Sequence, residues 1–218
     1  MKTSDRAPYQ ILYEDSSLLA VYKKREVFSV PTDDKKTYAH NLFGYLRSDV
    51  RKKNETLYLI HRLDYETSGV MIFAKTPEVQ RKLKESFEDR TVKRLYEAVV
   101  AEKIPVGKTY SVHQYLQEEG KKTEVSPTPE EGKEAITLIR AVNPIQIGTA
   151  LQIEIQTGRH NQIRVALASL GLTLLGDSRY SHSEAKRLYL NAYSLAFPAG
   201  LGLAQNVFET PPLWIREA

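Results

Sequence analysis

Two short stretches of this sequence carry residue types that could do chemistry. The first, His61-Arg62-Leu63-Asp64-Tyr65-Glu66-Thr67-Ser68-Gly69, packs an imidazole, a guanidinium and a carboxylate into its first four residues. These are the groups of acid–base and nucleophilic catalysis. The second, Thr157-Gly158-Arg159-His160-Asn161-Gln162-Ile163-Arg164, sits at an expected strand-to-helix junction. Backbone N–H groups at a helix start favour anions, and Arg159 and Arg164 add full positive charge there. Each stretch also has a plainer reading. The first can be a tight turn formed by Thr67-Ser68-Gly69, with Asp64 hydrogen-bonded to the backbone. The second can be a capped helix carrying surface arginines.

Other chemistries find little support. P-loop, GxGxxG, GxSxG and HExxH motifs are all absent from the sequence. There are no cysteines, which excludes disulfides and zinc–thiolate sites. The five histidines (His40, His61, His113, His160 and His182) are scattered, with no metal-ligand spacing among them, so no metal is expected.

The elements that must position these stretches are readable from periodicity. Ile11 to Tyr13 and Leu18 to Tyr22 flank the polar turn Glu14-Asp15-Ser16-Ser17 and predict a hairpin. Ala39, Leu42, Leu46 and Val50 predict a helix over 38–50. Leu57 to Ile60 and Val70 to Ala74 read as buried strands, with the His61–Gly69 segment as a loop between them. Loops carried by a rigid sheet are common places for function. Thr76 and Pro77 begin a helix as cap and first-turn residue, and Val79, Leu83 and Phe87 share one face of it. Strands are expected over 92–100, 109–117 and 135–142, the last two separated by a polar loop. Leu151, Ile153 and Ile155 alternate with polar residues as a half-buried strand does. Ile163, Ala166, Leu167 and Leu170 form a helical stripe that Gly171 ends. Further strands are expected over 187–197 and 206–209. Strands outnumber helices and can pair as neighbours. The expected fold is therefore α+β, a mostly antiparallel mixed sheet flanked by helices, in one domain over 1–218.

With 218 residues, 41% of them hydrophobic, the chain can build a substantial core. No apolar run approaches the roughly 20 residues of a membrane helix, and the N-terminus lacks a signal-peptide stretch, so a cytoplasmic protein is expected. The formal net charge of +4 is mild. Basic residues nonetheless bunch at Lys23-Lys24-Arg25, Arg51-Lys52-Lys53 and Lys93-Arg94, as suits a polyanionic partner.

The His61–Gly69 stretch resembles the HRLD-x-x-TSG signature of RluA-type RNA pseudouridine synthases. Other stretches resemble that family in the same order: the opening hairpin, the tyrosine-bearing strand Lys93 to Val99, Gly132 to Thr137, TGRHNQIR, Gly176 to Tyr180, and the closing Arg187 to Pro198. The resemblance covers about residues 10–212. It implies the pseudouridine synthase catalytic fold and isomerisation of uridine to pseudouridine without a cofactor. The partner it implies is structured RNA, ribosomal or transfer, with neither membrane nor metal. In the matching positions Asp64 is the catalytic carboxylate, and Arg164 is the basic residue that pairs with it. Tyr96 lies against the flipped base, and Arg62 enters the RNA stack as the uridine leaves. Leu190 is an apolar residue near the pocket. His61 and Arg159 are further candidate RNA contacts. A stacked base cannot reach a pocket, so extrusion at a cost of roughly a few kcal/mol belongs to this reading.

On the residues alone, Tyr96 is also readable as a core tyrosine beside Ala98 and Val100. His61 is readable as structural, and Asp177 and Tyr180 as turn and packing residues. The chain departs from the family at Tyr22 to Val27, where relatives carry NKP-x-G, and at Asn161, Ala166 and Asn191, where they carry histidine. The family's optional S4-like N-terminal module is not expected, and a monomer is the default. Two alternatives remain open. One is a catalytically silent RNA-binding relative acting in ribosome assembly. The other is a glycosidase using Asp64 with Glu66, since such enzymes work with two carboxylates.

Overall fold

A computed structural model of the chain describes residues 7–32, 40–51, 55–120 and 122–211. The first half runs β1 (Tyr9–Glu14), β2 (Leu18–Lys23), α1 (Leu42–Arg51), β3 (Tyr58–Leu59), β4 (Ser68–Ala74) and α2 (Pro77–Glu88). Next come β5 (Lys93–Val100), β6 (Thr109–Glu119), β7 (Lys122–Val125), β8 (Lys133–Ile145) and β9 (Gly148–Ile155). The chain closes with α3 (Gln162–Ser169), β10 (Leu190–Ala196) and β11 (Val207–Glu209). Within the stretch read above as one domain, the described residues fall into two compact units. One comprises the chain up to Val92 together with Ser194–Thr210, and the other contains Lys93–Tyr193. Strand β10 begins in the second unit and ends in the first. Ala39, Lys52, Lys53 and the side chains of Val50 and Arg51, which entered the helix and basic-cluster readings, lie outside the described residues.

In the first unit β1 and β2 form the expected antiparallel hairpin. Its turn is built by Asp15, whose Oδ1 accepts from the amides of Ser17 and Leu18 at 2.7 and 2.8 Å. This is the local bond that makes Asp a turn residue. β2 pairs with β4, and β3 pairs with the far end of β4. All seven residues of β4 are buried because both its faces are covered. Val70, Ile72 and Ala74 join Leu83 of α2 in one core, with Val79 and Phe87 packed against it. On the opposite face Phe43 of α1 stacks on Phe73, ring centres 6.0 Å apart. Helix α2 starts where Thr76 and Pro77 predict, with Thr76 Oγ1 accepting from the Val79 amide at 3.2 Å. Helix α1 starts at Leu42, because Asn41 turns its side chain onto the Gly44 amide at 2.8 Å.

In the second unit β5, β9, β8, β6 and β7 pair antiparallel in that spatial order. Leu151, Ile153 and Ile155 point into a core shared with Ile163, Ala166 and Leu167 of α3, as their spacing predicts. The loop expected between β6 and β8 contains β7, which folds back on β6 through Gly120 at φ +61°. Among the described residues, every ladder between named strands within either unit is antiparallel, and the isolated bridge Phe28–Asn41 is parallel. The α+β class with a mostly antiparallel sheet is the fold of the chain.

Candidate active site

The His61–Gly69 segment bridges β3 and β4 in the first unit, and four contacts hold it there. At its start, His61 Nε2 accepts from the Ile72 amide at 3.1 Å, and the ring stacks on Phe87 with centres 5.0 Å apart. That acceptor role uses the Nε2 lone pair, so His61 is a scaffold for the loop. In the middle, Ser29 grips Leu63 twice. Its hydroxyl donates to the Leu63 carbonyl at 2.6 Å and accepts from the Leu63 amide at 3.1 Å. At the turn, the Thr67 amide donates to the Asp64 carbonyl at 3.2 Å. The turn that forms spans Asp64 to Thr67 and is closed by its main chain, while Ser68 and Gly69, expected within the turn, belong to β4. Asp64 is half-buried and Arg62 is exposed.

The fourth comes from an unexpected quarter. Lys23, read above within a surface cluster, is fully buried. Its Nζ donates to the carbonyls of Val27, Lys24 and Tyr65 at 2.8, 3.1 and 3.3 Å. Arg25, two residues on, is exposed. The cluster at Lys93-Arg94 divides in the same way. Lys93 faces out, and Arg94 is buried with Nη2 donating to the Gln156 carbonyl at 2.8 Å. Strand alternation sends Lys93 and Arg94 to opposite faces, whereas Lys23 ends β2 and Arg25 lies in the turn beyond it, so neither run of cations is one basic surface.

The second unit holds Tyr96, Arg159, Arg164 and Leu190. The TGRHNQIR stretch is organised by Gln162, a buried side chain with four bonds. It accepts from Thr157 Oγ1 at 2.8 Å and the Arg159 amide at 3.0 Å. It donates to the Ile136 carbonyl and Thr137 Oγ1, each at 3.0 Å. At Gly158 the main chain passes close to Arg94, so that a Cβ there would lie 2.8 Å from Nη1 and the end of that side chain would have to shift. Arg159 is half-buried and donates through Nε to the Glu134 carbonyl at 2.9 Å. The helix opens on Asn161 in the left-handed region at φ 52°, without a side-chain cap bond, so the capped-helix reading does not hold.

Arg164 is not a surface arginine. Its Nε and Nη2 donate to the two oxygens of Asp177 at 2.9 and 2.7 Å, with both side chains almost wholly buried. Nη1 reaches Asn161 Oδ1 at 3.3 Å, and the Tyr180 ring lies 5.3 Å from the guanidinium carbon. Asp177 also accepts from the amides of Arg179 and Tyr180. Burial pushes its carboxyl up, but the Arg164 bonds and charge, with the two amides, outweigh this and hold it below the ordinary value. The turn reading of Asp177 is therefore right and incomplete. The Tyr180 hydroxyl further accepts from the Thr123 amide at 3.0 Å, tying β7 to this cluster. Tyr96 is half-buried against the core of the unit, and Leu190 is a member of that core.

Among the described residues no group of three or more His, Asp or Glu side chains is placed to hold a metal ion. No helix among them is long and apolar enough to cross a membrane.

Both the sequence and the fold have counterparts among known proteins. The sequence matches the RNA pseudouridylate synthase family over residues 17–169, and the chain belongs to that family. It is 33% identical over 177 residues to ribosomal large subunit pseudouridine synthase D of Salmonella typhimurium, a match covering 79% of this chain and 52% of that protein. The chain thus spans about half the length of that relative. It is 32% identical over 189 residues to a Helicobacter pylori protein described as an uncharacterized RNA pseudouridine synthase, covering 85% of this chain and 70% of that one. The fold is that of human RNA Pseudouridylate Synthase Domain Containing 4, with TM-score 0.71, 22% identity, and coverage of 94% of this chain and 90% of that one. Human RNA Pseudouridylate Synthase Domain Containing 1 gives TM-score 0.73 at 19% identity, covering 97% and 86%.

Proposed function

We propose that this protein isomerises uridine to pseudouridine in structured RNA, with Asp64 as the catalytic carboxylate. The observation that carries the proposal is the aspartate loop itself. Asp64 lies in a family-matching segment, and the residues on both sides of it are clamped by Ser29 and Lys23. Such restraint is what a catalytic group needs and a surface turn does not. The reaction breaks the glycosidic N1–C1′ bond, turns the uracil and joins C5 to C1′; C5 gives up its proton and the freed N1 takes one up. Atoms balance with no redox change and no co-reactant. Asp64 serves as nucleophile or base, Tyr96 offers a ring face to the extruded uracil, and Arg164 supplies fixed positive charge. Arg62, long and exposed, fills the gap that the uridine leaves in the stack.

The ribosomal target named for the Salmonella relative points to ribosomal RNA as the first substrate to try. The protein works in the cytoplasm as a monomer. The test is incubation of the purified chain with total RNA from cells lacking the gene, followed by nucleoside analysis. Pseudouridine that increases at the expense of uridine, with Asp64→Asn inert, is the expected result. RNA binding without product would instead identify a silent RNA-binding relative. Free uracil would identify a glycosidase.

A further inference from the structure

Lys23 closes β2 with no exposed surface. A buried ammonium is costly unless its donors are satisfied. Its three protons meet three carbonyls. Those of Lys24 and Val27 belong to the segment leaving β2, and that of Tyr65 belongs to the residue after Asp64. Titratable neighbours are Asp64 and Tyr65 on the loop, Lys24 next in the chain, and Tyr9 opposite it on β1, whose hydroxyl donates to Asp49. Among these, Asp64 is the charge that acts on Lys23.

We propose that Lys23 is a positioning residue for the candidate active site: its protonated ammonium ties the main chain at Tyr65 to the segment after β2 and sets a cation beside Asp64. This rests on Asp64 being the catalytic carboxylate. A neutral amine has two N–H donors, one fewer than the carbonyls it serves, so the clamp requires the charged form. Burial lowers the ammonium from its ordinary value to about 7, while Asp64 pulls it upward. The clamp therefore holds below that value and loosens as pH rises through it.

The experiment measures single-turnover pseudouridine formation across pH on total RNA from cells lacking the gene, using the intact chain and Lys23→Met and Lys23→Arg variants. Wild type is expected to lose rate along a basic limb centred at about 7. Lys23→Met should keep its RNA affinity, lose roughly 10–100-fold in rate, and show no such limb. Lys23→Arg, which stays charged, should recover part of the rate, again without the limb. A Lys23→Met protein with wild-type rate and the same limb would overturn the proposal. So would a variant whose only defect is RNA affinity. If neither variant folds, the wild-type profile decides, and a rate that stays flat above neutral pH overturns the role of Lys23 alone. A wild-type protein that makes no pseudouridine at any pH overturns the proposed function and this role with it.

Discussion

Removing the Asp177 carboxylate should cost the fold a large part of its stability. Asp177 is fully buried and Arg164 nearly so, and two charge-assisted bonds of 2.9 and 2.7 Å join them. Asp177→Ala deletes both bonds and strips the acceptor from the amides of Arg179 and Tyr180. Breaking a buried pair from one side costs about 3–5 kcal/mol. For a domain of this size each kcal/mol moves the melting temperature by about 2–4 °C, so a drop of roughly 6–20 °C is expected. Asp177→Asn keeps the shape and one acceptor and should lose less. In the double variant Arg164→Met with Asp177→Leu, apolar packing replaces the pair, and stability should return most of the way while activity does not. The pH dependence follows from sign. The folded-state carboxyl lies below its ordinary value, so its contribution is complete above the unfolded-state pKa and is lost as pH falls through the lower folded one. The gap between wild type and Asp177→Ala should be constant near neutrality and close only in acid, below about pH 4. Calorimetry and urea unfolding read all of this. An Asp177→Ala protein melting within about 2 °C of wild type would refute the reasoning.

Other perturbations separate local from site effects. Thr76→Ala removes the α2 cap bond and should cost about 1 kcal/mol by urea unfolding without altering catalysis. Gly176→Ala should prevent folding or destabilise by more than about 2 kcal/mol. The residue has φ +75°, and a Cβ would sit 1.5 Å from the Arg187 carbonyl oxygen, which circular dichroism and melting would report. Arg62→Ala should slow conversion on folded RNA more than on the same site in a short single-stranded oligonucleotide. Equal slowing on both would count against a wedge role.

Much of the fold was legible because its signals are local. The Asp15 turn, the Thr76-Pro77 start and the Leu151–Ile155 alternation each need only a few adjacent residues to read. Strand β7 was not legible, since Lys122–Val125 is polar and owes its pairing to β6 and to the turn at Gly120. The site divides along the same line. Asp64, Arg62 and Arg164 stand out through motif resemblance, but what holds them does not. Ser29 reaches Leu63 across 34 positions, and Lys23 reaches Tyr65 across 42. Asp177 meets Arg164 13 positions away, inside a segment that reads as a turn. Neither composition nor periodicity encodes such pairings. The apparent basic surface at Lys23 and Arg94 failed for a related reason: one cation of each run is buried, Arg94 by strand alternation and Lys23 at the end of β2, and carbonyls stabilise it there.

The central claim is Asp64-dependent pseudouridine formation, and site-resolved mapping in cells tests it most directly. RNA from cells lacking the gene would be compared with RNA from the same cells carrying wild type or Asp64→Asn, using carbodiimide-stop sequencing. The account predicts at least one uridine that is modified with wild type and unmodified both in the deletion and with Asp64→Asn. A pseudouridine restored equally by the Asp64→Asn protein would contradict it.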